Sequence, residues 1–208
     1  TMTRAAFWDR TAAKYAKSPI PNEAVYEQKL ASTREHLTPE SLVLEIGCGT
    51  GTTALRHAPC AKQIDAWDIS SKMLEIARQK QQDQGITNVN FHCAEAASMT
   101  LPEGHYDLAM AHSLLHLLDN KEATLREIHR ALKPGGIFVS STACLGNNMN
   151  WLKIIARPMQ FLGFWPSVQF FSSRELEQSI IDCGFEIEQS WLPPKAMAHF
   201  FIARKISA

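Results

Sequence analysis

The sequence predicts an α/β fold: a seven-stranded, mostly parallel sheet with helices on both faces and a C-terminal antiparallel hairpin. Three observations carry this expectation. Short apolar runs alternate with amphipathic stretches of helical period, the pattern of a parallel sheet covered on both faces. One run, Val43-Leu44-Glu45-Ile46, feeds directly into three glycines at every second position, Gly47, Gly49 and Gly51. A second run, Ile64 to Ile69, carries an acid, Asp68, about 20 residues after the first glycine, where such folds place a group for ribose hydroxyls.

Taken in order, Ala5 to Ala16 has Phe7, Trp8, Ala12 and Tyr15 at helical spacing and is stopped by Pro19 and Pro21. Glu23 to Leu37 reads as a second helix. The strands are expected at Leu42 to Ile46, Gln63 to Asp68, Val89 to His92, Tyr106 to Ala111 and Gly136 to Thr142. Ser70 or Ser71 can cap a helix over Lys72 to Gln84, which Gly85 ends. Lys121 to Leu132 reads as an amphipathic helix stopped by Pro134-Gly135-Gly136. After Cys144 aromatics crowd the chain from Trp151 to Phe171. Then come a helix over Ser172 to Cys183 and two strands, Phe185 to Trp191 and Ala196 to Lys205, flanking Pro193-Pro194.

Composition narrows the function. At 208 residues and 45% hydrophobic the chain suits one core, so one domain is expected over 1–208. Its parts are a helical cap at 1–37, a ligand-binding core at 38–142, an aromatic-rich insert at 143–171 and a closing helix and hairpin at 172–208. The 21 basic and 21 acidic residues cancel without a basic cluster, which argues against nucleic acid as substrate. Five cysteines form no Cys-x-x-Cys pair and suit a reducing, cytoplasmic setting. No leader is visible, and the greasiest stretch, around 151 to 171, is broken by Lys153, Arg157, Pro158 and Pro166, so no transmembrane segment is expected. Oligomeric state is not legible.

The glycine turn sorts the nucleotide-like ligands. A dinucleotide site needs Gly-x-Gly-x-x-Gly/Ala, but position 52 is Thr. Glu45, two residues before the turn, would repel a pyrophosphate and attract a cation. A positively charged nucleoside with a free ribose is the better fit.

With the Glu45-to-Gly51 turn, Asp68, Cys93-Ala94-Glu95, Asp107 to His116 and Leu132-Lys133-Pro134-Gly135-Gly136, the chain resembles the class I S-adenosylmethionine-dependent methyltransferases. Within them it is similar to the small-molecule group of the ubiquinone and menaquinone C-methyltransferases. The resemblance implies a Rossmann-like sheet and S-adenosyl-L-methionine as cofactor. It also implies that Glu45 and the backbone of Gly47-Cys48-Gly49 hold the methionyl end, that Asp68 holds the ribose, that Met73, Ala94 and Glu95 meet the adenine, and that Ile69 and His112 also touch the cofactor. Tyr15 would close over the cofactor from a mobile N-terminal cap. Cys48 also reads as a small packing residue, Glu95 as a helix-capping carboxylate, and Trp8 and Phe7 as anchors of their helix.

His112 and His116, just past the fourth strand, are candidate general bases, because imidazole titrates near neutral pH. The alternative is that His112 bonds backbone and His116 only packs. No His or Cys spacing suggests a metal, and Ala111-His112-Ser113 stands where catechol-type enzymes carry acidic ligands. The expected partner is a small, apolar acceptor: quinone-like, lipid-amine or thiol. The aromatics from Trp151 to Phe171, with Met149 and Met159, would form an acceptor lid or a capping layer of core, and Lys153 and Arg157 would greet an anionic headgroup or form a solvated edge. The other readings are a nicotinamide-dependent oxidoreductase and a non-catalytic cofactor-binding module.

Overall fold

The computed structural model describes residues 3–146, 156, 159, 166–194 and 196–206. Most of the expected lid, including Met149, Trp151, Lys153, Arg157, Phe161, Leu162, Phe164 and Trp165, lies outside the described residues. The elements are α1 (Arg4–Lys17), α2 (Glu23–Arg34), β1 (Leu42–Ile46), α3 (Thr52–His57), β2 (Gln63–Asp68), α4 (Ser71–Asp83), β3 (Val89–Cys93), β4 (Tyr106–His112), α5 (Lys121–Ala131), β5 (Leu132–Ala143), α6 (Ser173–Asp182), β6 (Phe185–Trp191) and β7 (Ala198–Lys205).

The seven strands form one sheet in the order β3-β2-β1-β4-β5-β7-β6. The strands β1 to β5 pair in parallel, and β7 runs antiparallel to both β5 and β6. The order reverses between β1 and β4, so the crevice for a ligand opens at the carboxyl ends of these two strands. Two apolar clusters cover the two faces. Leu44, Ile46, Ala109, Phe138 and Phe201 point to one, under α5 and α6; Val43, Leu108, Met110, Val139 and Phe200 point to the other. Alternation along each strand sends successive residues to opposite clusters.

Several boundaries move by a residue or two, and two differences have clear causes. The six residues of α3 carry too little periodicity to mark it in the sequence, and it appears only in the fold. β5 starts at Leu132 rather than Gly136: Tyr106 pairs with Leu132, and a register shift before Leu108 lets Pro134 and Gly135 pass without breaking the strand. Ser172 caps α6 in a capping box with Glu175, worth about 1 kcal/mol.

Candidate active site

A single crevice gathers residues from the ends of β1, β2, β3 and β4 under helix α1. It is lined by Gly47, Gly49, Asp68, Ile69, Met73, Ala94 and Glu95 on one side. His112, Ser113, Leu114 and His116 line the other, and Tyr15, Trp8 and Arg4 cover it from α1. Glu45 and Cys48, also expected at the ligand, do not line the crevice; they are buried behind the turn at 2% and 8% exposure.

The three glycines do three different things. A Cβ on Gly47 would lie 3.0 Å from Leu114, so β1 can run over the turn after β4 only without a side chain there. Gly49 faces the crevice, with Tyr15 3.8 Å from its missing Cβ. Gly51 packs on α4 and β3: a Cβ would come within 2.8 Å of Ala77 and 2.9 Å of Phe91. All three have positive φ, which side chains rarely adopt.

Four of the five amides of the turn, all but that of Thr50, are already committed. Gly47 N and Cys48 N both donate to the Trp67 carbonyl, at 2.7 and 3.0 Å. Gly49 N donates to Asp68 Oδ2 at 2.8 Å, and Gly51 N to the Cys48 carbonyl at 2.9 Å. An anion-binding nest works by pointing free N–H groups at its ligand. This loop instead spends three of its amides on β2 and a fourth on its own Cys48 carbonyl.

Asp68 is therefore both a strut and a ligand group. Its other oxygen accepts from Ser70 N at 2.8 Å. Burial raises its pKa, while the amides of Ser70, Gly49 and Ile69 pull it down. Glu45 differs from the sequence expectation. Rather than standing as a negative charge at the mouth, its carboxyl is fully enclosed, and burial, then Asp68, push its pKa up to about 8. It accepts the Ala54 amide of α3, and its Oε2 has no partner among the described residues. It is mostly protonated at neutral pH and would ionise when a cation arrives. The Cys48 thiol is pushed far up by burial and is inert.

The histidines are held neutral. Burial, then the neighbouring His57 and Lys29, depress His112 to about 3, and burial depresses His116 to about 4. His116 Nδ1 is buried without a partner, so the ring is open to accept a proton. No ring hydrogen bond of His112 to backbone is present among the described residues. The Glu95 side chain makes no cap hydrogen bond to the turn that follows it; it faces Arg4 at 3.7 Å.

Arg4 and Asp9 were not singled out in the sequence, and they hold α1 over the crevice. Arg4 Nη2 lies 2.5 Å from Asp119 Oδ1. Asp9 Oδ1 accepts from Ser70 Oγ at 2.6 Å and Lys72 N at 3.1 Å, capping α4 from another helix. Ser113, the one non-glycine with positive φ among the described residues, was also missed; it turns the chain from β4 so that Leu114 seats under Gly47. Among the described residues no group of three His, Cys, Asp or Glu is placed to hold a metal ion, and no helix is long and apolar enough to cross a membrane.

Comparison with known proteins agrees with this arrangement. Residues 43–136 match the family described as "Methyltransferase domain". The ubiquinone/menaquinone biosynthesis C-methyltransferase UbiE of Shewanella woodyi is 36% identical over 102 residues, 47% of this chain and 41% of that protein. A malonyl-[acyl-carrier protein] O-methyltransferase of Priestia megaterium is 30% identical over 147 residues, 67% of this chain and 52% of that one. The chain thus spans about half the length of these curated relatives. The crystal structure of YcgJ from Bacillus subtilis superposes with a TM-score of 0.72 at 18% identity, over 88% of this chain and 100% of that one, a likeness of fold. Matched segment, sheet order and glycine turn together give this chain a methyltransferase domain of the class I, S-adenosylmethionine-dependent kind.

Proposed function

We propose that this chain transfers the methyl group of S-adenosylmethionine to a small organic acceptor, without a metal and in the cytoplasm. The observation that carries the cofactor reading is the committed amides of the Gly47–Gly51 turn. A loop with four of its five amides already bonded, flanked by Asp68 and backed by Glu45, suits a cationic nucleoside better than a diphosphate.

The residues fit that group. Asp68 keeps acceptor lone pairs for ribose hydroxyls, with Ile69 beside it, while Met73 and Ala94 give an apolar seat for adenine and Glu95 an acceptor at its edge. The backbone of Gly47, Cys48 and Gly49 would hold the methionyl end, and the buried Glu45 carboxyl would supply the counter-charge from behind the turn. When bound, the cofactor supplies a methyl group already activated on a sulfonium.

The protein's remaining work is placement and exclusion of water. Tyr15, half exposed on α1, and Trp8 close the crevice from above. A nucleophile that still carries a proton would pass it to His116, or to His112, at a ring nitrogen with no other partner. The relatives' names differ in the methylated atom, carbon in one and oxygen in the other. Quinone-like, lipid-amine and thiol acceptors are therefore all to be screened. A coupled assay for S-adenosylhomocysteine release over such a panel tests the reading: turnover with one class supports it. Tight cofactor binding with no release over the whole panel would favour a non-catalytic binding module.

A further inference from the structure

A second polar group lies beside the crevice, on the sheet face covered by α2 and α3. His112 at the end of β4 is in register with Ser141 of β5, and both follow the alternation that points Met110 and Val139 to that face. Lys29 of α2 reaches down to them, its Nζ donating to Ser141 Oγ at 2.7 Å. His57, at the end of α3, is fully buried, and neither of its ring nitrogens has a partner among the described residues.

The peculiarity is Lys29. It is half-buried, and no carboxylate lies within ion-pair distance of it among the described residues. Its company is a neutral hydroxyl and the Phe200 ring, 5.9 Å from Nζ. A hydroxyl and a ring face offset only part of the cost of taking an ammonium out of water. The chain's other ion pairs show that it has carboxylates to spare for cations elsewhere: Lys133 has Asp107, and Arg56 has Glu23 and Glu27. A cation left without its anion, beside the neutral imidazole of His112, is a receptor for a negatively charged oxygen. His112 joins it to the crevice wall.

We propose that Lys29, with His112 and Ser141, receives an oxyanion of the methyl acceptor, a carboxylate or a phenolate on an otherwise apolar body. The inference rests on the methyltransferase reading above and deepens it. It also fits the two weakly basic histidines of the crevice: an acceptor that arrives ionised needs little help in losing a proton.

The test is calorimetry on protein loaded with S-adenosylhomocysteine. Sodium octanoate, octanamide, para-nitrophenolate and para-nitroaniline are titrated in turn into wild type, Lys29→Met and Lys29→Arg. The expected result is a preference of about tenfold or more for at least one anion over its neutral counterpart. Lys29→Met abolishes it and Lys29→Arg keeps it. Which anion wins separates carboxylate from phenolate. Equal affinity for charged and neutral probes, no binding of either anion to wild type, or a preference that survives in Lys29→Met overturns the proposal. S-adenosylhomocysteine affinity, measured first in all three proteins, should not change with Lys29; failure of wild type to bind it would strike the methyltransferase reading instead.

Discussion

The two walls of the crevice are built from different materials. The wall from β1 and β2 is backbone: glycines at positive φ, amides tied to Trp67 and Asp68, and a carboxylate spanning two turns. The wall from β4 and β5 is side chain: His112, His116 and, behind them, Lys29 on Ser141. Backbone walls tolerate little, because Gly47 and Gly51 each lie against a neighbour's van der Waals surface and all three glycines have positive φ. Side-chain walls can be exchanged without disturbing the strands that carry them. Such a division lets one scaffold keep a cofactor while changing its acceptor.

The largest expected effect is on the backbone wall. Gly51→Ala forces a methyl into Ala77 and Phe91 at a φ of +73°, which should cost about 3 kcal/mol from overpacking and left-handed strain together. Urea unfolding would measure it; a loss under about 1 kcal/mol would mean the turn is not rigid. Asp68→Asn comes next, since an amide cannot accept from both Gly49 N and Ser70 N while presenting its own N–H groups to them. Cofactor affinity should fall by roughly 1 to 3 kcal/mol, read by calorimetry.

The third prediction concerns pH. The Glu45 pKa is raised in the folded protein, so its contribution to stability is full below the unfolded carboxyl pKa. That contribution is lost as pH rises toward about 8. The depressed histidines act oppositely, contributing above their ordinary pKa of 6.5 and losing that contribution as pH falls toward about 4 and below. Ligand-free protein should therefore gain stability as pH rises toward about 7, where three histidines outweigh one carboxyl, and lose it between about pH 7 and 8 with a slope below about 1.4 kcal/mol per pH unit. Glu45→Gln should flatten that limb of the melting profile and steepen the rise on the acid side, where Glu45 no longer opposes the histidines. Smallest is Arg4→Ala, which removes a half-exposed latch to Asp119 and should cost no more than about 1 kcal/mol in stability by thermal melting.

The same division explains what the sequence revealed. The glycine turn and Asp68 are local signals: spacing alone puts them at strand ends, and there they are. So are the apolar runs, whose strand and helix positions hold within a few residues. The charge state of Glu45 was not legible, because it depends on Asp68 and on α3 closing over it. Lys29 could not be found by pattern either; α2 and β5 lie far apart in the chain, and nothing in the residues around Lys29 names Ser141 or His112 as neighbours. Asp9 and Arg4 were equally silent, since their partners Ser70 and Asp119 come from other segments.

The account turns on the preference of the glycine turn for positive over negative charge. Titrating wild-type protein with S-adenosylmethionine and with NADH, in the same buffer, tests it most directly. S-adenosylmethionine should bind, with affinity rising as pH goes from 6 to 8 and Glu45 ionises, and NADH should give no heat of binding. Binding of NADH at comparable affinity, with none of S-adenosylmethionine, would contradict it.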